Sequence, residues 1–112
     1  MGKHKKQIEE EAWIGSFLQE HIPEEAISKP VCLSILCFMP IPKSTSKKKV
    51  YLMHSDIIKH IKKPDVDNLA KNLLDCMTKT RFWTDDNLVY SLDIRKRYDD
   101  GKGPRWIVSL DY

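Results

Sequence analysis

Four aspartates and one lysine, grouped in two short segments, have the residue types needed for phosphate chemistry. The segments are Lys63-Pro64-Asp65-Val66-Asp67-Asn68-Leu69-Ala70-Lys71 and, further along, Phe82-Trp83-Thr84-Asp85-Asp86. In an extended segment or one entering a helix, residues two apart point the same way, so Asp65 and Asp67 can reach one cation. If Asp67 is already helical, Lys71 lies one turn above its carboxylate. Asp85 or Asp86 can supply a third carboxylate from the other side of a cleft.

Carboxylates without histidine or cysteine favour a hard cation that prefers oxygen ligands, namely Mg²⁺ or Mn²⁺. Such an ion polarises a phosphoryl oxygen and activates a water, while a nearby lysine neutralises developing charge or orients that water. The pattern therefore indicates phosphodiester hydrolysis. Each motif also has a purely structural interpretation: Asp65 and Asp67 cap a helix, Lys71 pairs along its face, and Asp85-Asp86 mark a turn.

Other chemistries have little support in the sequence. The four glycines form no phosphate-binding glycine loop, and no nucleophile elbow is present, so we expect no organic cofactor. The histidines lack paired metal-ligand spacing and are interpreted as surface residues: His4, His21, His54 and His60. The cysteines form no CxxC pair and are interpreted as buried reduced thiols: Cys32, Cys37 and Cys76.

The hydrophobic and charge patterns limit the possible locations and partners. The longest apolar run, 31–39, is about half of what a membrane-spanning helix needs, so we expect a cytoplasmic protein without a membrane span. Net charge is only +3, but residues 41–63 hold seven lysines against one aspartate, and residues 95–105 hold five basic against two acidic side chains. A polyanion could bind such a flank; the alternative is a set of solvated lysines on a flexible loop.

The first half of the chain predicts a helix, a strand and a loop. Residues 5–21 have apolar residues roughly at helical spacing, and Pro23 ends this predicted amphipathic helix. Residues 31–39 are apolar on both alternating faces, which is typical of a strand covered on both sides. Residues 43–49 are predicted to be a mobile loop. Residues 50–62 are ambiguous, with a short helix as one possibility.

The second half predicts a helix followed by two strands. Val66, Ala70, Leu73 and Met77 follow 4, 3, 4 spacing, which predicts a helix from Pro64 to about Lys79. Residues 87–98 alternate as a strand with one wet face, and the turn at 99–103 leads to a return strand, which together predict a C-terminal β-hairpin. We therefore expect one small α/β (α+β) domain with a mixed sheet and two main helices.

The conjunction of these motifs is more specific than any one of them. Pro64–Lys71, the continuing Leu74-Asp75 helix and Phe82–Val89 together resemble the RusA family of Holliday-junction resolvases, with its pattern D-x-D-N-L-x-K followed by an aromatic-x-D-D segment. Two flanking regions are similar to parts of prophage-type members of the family: Phe38–Ser44 with the lysine loop, and Arg95–Tyr98 leading to Pro104-Arg105. The resemblance spans roughly residues 5–112.

The resemblance implies a single RusA-like endonuclease domain over residues 1–112 and a set of catalytic residues. By position, Asp65, Asp67 and Asp86 match the metal-binding catalytic carboxylates, and Lys71 matches the catalytic lysine. In the Asp85-Asp86 pair the second aspartate matches, and Asp85 remains a possible auxiliary. The family also implies Mg²⁺ (or Mn²⁺) and a homodimer that makes paired nicks in four-way junction DNA during recombination and repair, which suits the near-twofold symmetry of a junction.

The same resemblance suggests which basic residues contact DNA phosphates and which part of the family's fold is absent. Phosphate contacts position a junction without reading its sequence. The predicted contacts are Lys43, Lys47, Lys48, Lys49, Lys62, Lys63, Arg95, Lys96, Arg97 and Arg105. Because the chain begins almost directly at the predicted first helix, we expect it to lack the family's N-terminal strand.

Two other functions remain open from the sequence. The first is a non-catalytic basic DNA-binding module that keeps the fold but has lost the reaction. The second is a phosphohydrolase of small nucleotides that uses the same carboxylates, with Trp83 and Tyr90 as the only candidates for base stacking. We interpret these two aromatic residues as part of the hydrophobic core.

Overall fold

The computed structural model describes the backbone of residues 5–10 and all of residues 21–112. Its strands are β1 (Lys5–Glu10), β2 (Val31–Met39), β3 (Val89–Tyr98) and β4 (Arg105–Asp111). Its helices are α1 (Lys47–His54) and α2 (Val66–Lys79), and a 3-10 turn over Asp86–Leu88 leads into β3. The expected α+β fold with a mixed sheet and two helices is confirmed.

The four strands form one sheet in the order β1-β4-β2-β3. β2 and β3 run parallel, whereas β4 is antiparallel to both β1 and β2. A parallel pair needs a long crossover connection, and here that connection contains α1 and α2. The crossover brings the start of α2 and the entry to β3 into the same region of the fold.

The predicted C-terminal β-hairpin is wrong, because β2 lies between β3 and β4. The turn that follows β3 crosses the end of β2, where the backbone N–H of Asp99 donates to the Met39 carbonyl at 2.8 Å. Alternating residues and turn glycines indicate two strands and a turn, but they do not indicate the pairing partner. β2 is apolar on both faces and so takes the central position in the sheet.

The prediction for the N-terminal segment is also wrong over residues 5–10, which form a strand instead of the start of a helix. β1 pairs antiparallel with β4, from Lys5 opposite Asp111 to Glu10 opposite Trp106. The chain therefore has an N-terminal strand, contrary to expectation. Residues 11–20 of the predicted helix lie outside the described residues. Pairing with the open edge of β4 overrides the local helical spacing.

The lysine-rich segment is more ordered than predicted. Residues 43–49 were expected to form a loop, but α1 begins at Lys47 and continues to His54. The Ser46 hydroxyl caps this helix by accepting from the backbone N–H of Lys49 at 3.4 Å. Lysine is a good helix former, so a capped run of three lysines enters a helix at little cost. The short helix considered for 50–62 ends at His54.

The hydrophobic core lies between one face of the sheet and α2. Alternate side chains of β2 are buried there, together with residues of α2, of β4 and of the segment after α2. The main contributors are Leu33, Ile35, Leu69, Leu73, Met77, Phe82, Trp83, Val108 and Leu110. The sequence predicted that β2 is covered on both sides. One face is buried as predicted, but Ser34 on the other face is exposed. Within the described residues, no helix is long and apolar enough to cross a membrane.

We predict that Leu73→Ala destabilises the fold strongly, because Leu73 is completely buried between α2 and the sheet. Removal of a buried leucine side chain costs about 2–5 kcal/mol of unfolding free energy. The matched control is Ile61→Ala, since Ile61 is 88% exposed and should change stability by less than about 0.5 kcal/mol. Urea unfolding followed by circular dichroism measures both, and equal losses would contradict this placement of the core.

Candidate active site and nucleic-acid interface

A groove of about 500 Å³ lies between α2, the 3-10 turn and β3. Its polar side chains are Asp67, Lys71 and Asp75 from α2 and Asp86 from the 3-10 turn. The α2 residues are spaced by four and therefore share one face of the helix. Apolar residues of α2 and β3, among them Ile94, complete the lining. The groove thus joins the two acidic segments of the sequence.

Local backbone structure explains how each acidic segment reaches the groove. Asp65 is the N-cap of α2, with extended backbone, and its carbonyl accepts from the N–H of Leu69 at 3.0 Å. Asp67 therefore lies in the first helical turn, where the helix dipole favours a negative charge. In the second segment, the Asp85 carboxylate accepts from the N–H of Asn87 at 2.9 Å and caps the 3-10 turn. Asp86 is the aspartate of this pair that lines the groove.

The structure does not bring all three predicted carboxylates together. Asp65 is exposed and is not among the residues that line the groove. Across residues 21–112, whose side chains are described, no three histidine, cysteine or acidic residues are close enough to hold one ion. Mg²⁺ usually keeps several waters and binds one or two carboxylates together with substrate phosphates. The two groove carboxylates Asp67 and Asp86 fit that kind of coordination.

Asp75 is the groove residue that sequence reasoning missed. It follows Lys71 by four residues, as Lys71 follows Asp67, so an acid-base-acid row along α2 is readable from the sequence. The motif directed attention to the start of the helix, and Asp75 was treated only as its continuation. In the structure Asp75 is exposed and lines the groove beyond Lys71.

Most of the predicted phosphate-contacting lysines are available to solvent. Lys47, Lys48 and Lys49 form the exposed first turn of α1, which contains no acidic residue. Lys43 precedes this helix, and Lys62 with Lys63 precedes α2; these side chains are exposed as well. We call these six residues the lysine surface. They lie in or shortly before the first turns of α1 and α2.

The three predicted arginines differ in their availability. Arg95 is exposed, and its Nε lies 3.8 Å from an Asp93 carboxylate oxygen. Arg97 is half-buried; it donates to the His54 carbonyl at 2.7 Å, and its guanidinium lies 5.3 Å from the centre of the Phe38 ring. Arg97 therefore ties the end of α1 to the sheet.

Arg105 is buried, which corrects its prediction as a DNA-contacting residue. Its guanidinium donates two hydrogen bonds to the Asp100 carboxylate, at 2.9 and 3.0 Å, and lies 3.8 Å from the centre of the Phe38 ring. Hydrogen bonding from Arg105 lowers the pKa of Asp100 well below the usual aspartate range. This contact closes the turn between β3 and β4, and the Arg105 side chain is only 8% exposed.

The histidine and cysteine predictions have mixed outcomes. His60 was expected at the surface but is buried, edge-to-face against Tyr98 with ring centres 4.9 Å apart. Burial, and secondarily the nearby Lys96 ammonium, lower its pKa. His21 and His54 are half-buried, and His4 lies outside the described residues. All three cysteines are free thiols, as predicted, but only Cys37 is buried, whereas Cys32 and Cys76 are half-buried. Burial raises the pKa of Cys37 to about 12.

The two aromatic residues considered for base stacking have different environments. Trp83 is fully buried, and its indole N–H donates to the Thr78 hydroxyl at 2.8 Å, which confirms a core role. Tyr90 is 64% exposed on β3, so its assignment to the core is wrong. β3 is an edge strand, and the residues of its first half are mostly exposed. Tyr90 does not line the acidic groove.

The structure is that of a small α+β protein with an acidic groove between a helix and a 3-10 turn, and the groove also contains a lysine. The family model described as Endodeoxyribonuclease RusA matches residues 4–111. The chain belongs to the RusA endodeoxyribonuclease family. The resemblance that the acidic motifs indicated is therefore confirmed.

Two curated relatives are similar to the chain. "Uncharacterized protein YqaN" of Bacillus subtilis (strain 168) is 31% identical over 90 residues, which cover 79% of this chain and 63% of that protein. "Crossover junction endodeoxyribonuclease rusA" of Lactococcus phage r1t is 34% identical over 85 residues, which cover 74% of this chain and 58% of that protein. The chain thus spans about three-fifths of the length of these relatives.

We predict that Asp100→Asn lowers stability at pH 7, by about 1–3 kcal/mol, because it weakens a charged hydrogen-bonded pair. A carboxylate with a lowered pKa in the folded state stabilises the fold above the unfolded pKa of about 3.9, and this contribution is lost as pH falls further. The stability difference between wild type and variant should therefore shrink between pH 5 and pH 2. Urea unfolding across this pH range tests it, with Asp93→Asn as the exposed control; a difference that does not change with pH would contradict it.

Proposed function

We propose that the chain is a metal-dependent endonuclease that hydrolyses phosphodiester bonds in four-way DNA junctions. The observation that carries this proposal is the groove where Asp67, Lys71 and Asp86 meet between α2 and the 3-10 turn. Membership of the RusA family and the similarity to a phage protein named as a crossover junction endodeoxyribonuclease support the choice of substrate. A role in recombination and repair follows from that substrate.

Each polar residue of the groove has a proposed role. Asp67 and Asp86 would hold Mg²⁺ or Mn²⁺, with Asp65 joining from the N-cap position when DNA is bound. The ion, when bound, supplies charge stabilisation at the phosphoryl group and an activated water. Lys71 places an ammonium beside these carboxylates, where it can donate to a phosphoryl oxygen or orient the attacking water.

The reaction follows in-line displacement at phosphorus. The oxygen of the attacking water forms a bond to phosphorus while the bond to the 3′ oxygen breaks, and a proton passes to the leaving oxygen. The products are a 5′-phosphate and a 3′-hydroxyl. The acidic side chains of the groove are exposed, so water and a DNA phosphate can both reach them.

The basic side chains have a proposed role in positioning the junction. The lysine surface and Arg95 would contact DNA phosphates, whereas Arg97 and Arg105 support the fold and leave that set. A homodimer with two such sites would match the near-twofold symmetry of a junction and cut opposed strands in pairs. The free thiols fit a reducing compartment such as the cytoplasm.

A second candidate function is a non-catalytic junction-binding protein. The specific observation that favours it is that the described side chains bring no three metal-ligand groups together. The basic surface would then bind junctions with an affinity that falls as salt rises, without any divalent-metal-dependent product. The cleavage experiment below separates the two functions.

We predict that Asp67→Asn abolishes cleavage of a synthetic four-way junction, with at least a ~100-fold lower rate, because it removes a carboxylate needed for the ion. Junction binding without divalent metal should be kept or strengthened, since a negative charge that faces the phosphates is lost. The matched control Glu25→Gln, at an exposed acidic residue outside the groove, should cleave like wild type. Wild-type protein that binds but never cleaves would select the second function, and unchanged cleavage by Asp67→Asn would reject this assignment of the site.

We also predict that changing Lys47, Lys48 and Lys49 together to glutamine weakens junction binding and flattens its dependence on salt. Each lost phosphate contact lowers the slope of log affinity against log salt by about 0.9, so the triple variant should lose up to about 2.7. The matched control replaces three exposed lysines elsewhere, Lys29, Lys79 and Lys102. Binding titrations at several salt concentrations measure both, and equal slope changes would show that only total charge matters.

A further inference from the structure

Lys96 was predicted to contact DNA phosphates, but its ammonium instead donates to backbone carbonyls within the protein, and neither the acidic motif nor the groove accounts for these contacts. It lies on β3 beside Cys37 of β2 and is half-buried. Its ammonium donates to the backbone carbonyl of Lys62 and, at 2.9 Å, to that of Pro64. Both acceptors belong to the segment that enters α2, directly before Asp65. Hydrogen bonds from a charged donor are stronger than neutral ones, so this is a firm attachment.

The segment held by Lys96 has little regular structure of its own. Residues 57–65 lie outside helices and strands, and α2 begins only at Val66. The position of Asp65, and the angle at which Asp67 enters the groove, therefore depend on where this segment is fixed. An ammonium has three donors and here uses two of them on carbonyls two residues apart.

β3 connects this attachment to the opposite side of the groove. Asp86 lies in the turn that leads directly into β3, and Ile94 of the same strand lines the groove. Ile94 and Lys96 are two residues apart and share one face of the strand. β3 thus continues directly from the turn that contains Asp86, and it also carries Lys96, whose ammonium holds the segment before Asp67.

We propose that Lys96 is a positioning residue that sets Asp65 and Asp67 in register with Asp86 through the carbonyls of Lys62 and Pro64. The inference rests on the proposed function, because it assigns the purpose of this attachment to the same metal-dependent site. Residues that do not touch a metal but orient the residues that bind it typically contribute 10–100-fold to metal affinity or activity.

The charge of Lys96 provides a way to separate positioning from simple electrostatics. A positive charge near the site repels a divalent cation, so its removal alone should tighten metal binding. Loss of positioning should weaken metal binding instead, because the carboxylates no longer converge. The sign of the change in Mn²⁺ affinity therefore distinguishes the two effects without any measurement of cleavage.

The test compares three variants of the full chain. Lys96→Met keeps the aliphatic stem but removes the donors, Lys96→Arg keeps charge and donors, and Lys79→Met removes an exposed lysine at the end of α2. We expect Lys96→Met to bind Mn²⁺ 10–100-fold more weakly by calorimetry and to cleave saturating junction more slowly by a similar factor. Its junction affinity without metal should stay close to that of Lys79→Met, and Lys96→Arg should recover most of the Mn²⁺ affinity.

Several results would overturn the proposal. One is Mn²⁺ binding by Lys96→Met that equals or exceeds that of wild type; another is a lower melting temperature with unchanged cleavage per folded molecule. If Lys96→Met does not fold, Lys96→Ala decides: weaker Mn²⁺ binding by a folded alanine variant supports positioning, and binding equal to or tighter than that of wild type opposes it. If wild-type protein binds Mn²⁺ but does not cleave junctions, the proposed function is rejected, and the Mn²⁺ affinities of the variants still test the role of Lys96. If wild-type protein binds no Mn²⁺, both the proposed function and the role of Lys96 are rejected.

Discussion

The parallel pairing of β2 with β3 is the constraint on which the rest of the structure depends. Two parallel neighbours cannot be joined by a tight turn, so the chain must leave the sheet and return over it. The return path contains α1 and α2, and α2 covers the buried face of β2 with Leu69, Leu73 and Met77. The start of α2 is thereby placed against β3, whose entry carries Asp86. The acidic groove is a consequence of this connection, because neither acidic segment could form it alone.

The basic residues divide into those that hold the fold and those that face solvent. Arg97 and Arg105 both lie against Phe38, and each is committed to acceptors within the protein. Lys96 is committed in the same way to backbone carbonyls. The lysine surface has no comparable internal partners among the described hydrogen bonds, apart from its own helix. A buried charge needs acceptors within the protein, which Lys96, Arg97 and Arg105 have. The lysine surface faces solvent, so it is the part that a polyanion can reach.

The sequence predicted those parts of the structure that depend on local pattern. The 4, 3, 4 spacing of apolar residues in α2 and the continuous apolar run of β2 predicted the two elements that form the core. The spacing of Asp67 and Lys71 predicted that these two side chains share one helix face, whereas the resemblance to the RusA family selected Asp86 over Asp85. The features predicted from pattern alone were accessible because periodicity and short spacing act within a single element.

The sequence did not predict features that depend on contacts between distant segments. The strand at Lys5–Glu10 exists because β4 offers it an edge, and the hairpin is absent because β2 occupies the position between β3 and β4. His60 and Arg105 have polar side chains typical of a surface, but their burial follows from Tyr98, Asp100 and Phe38, which are brought to them by the fold. Asp65 was grouped with Asp67 from spacing and from the family resemblance, but Asp65 is the N-cap of α2 and does not line the groove.

The position of β4 within the sheet has a consequence for how the molecule is made. β4 is the last strand in the chain, yet it joins β1 to β2, two strands that are synthesised far earlier. Until β4 leaves the ribosome, β1 has no neighbour and β2 shows an unpaired edge with a strongly apolar face. Closure of such sequence-distant contacts is slow, so the sheet stays incomplete until β4 pairs with both of its neighbours.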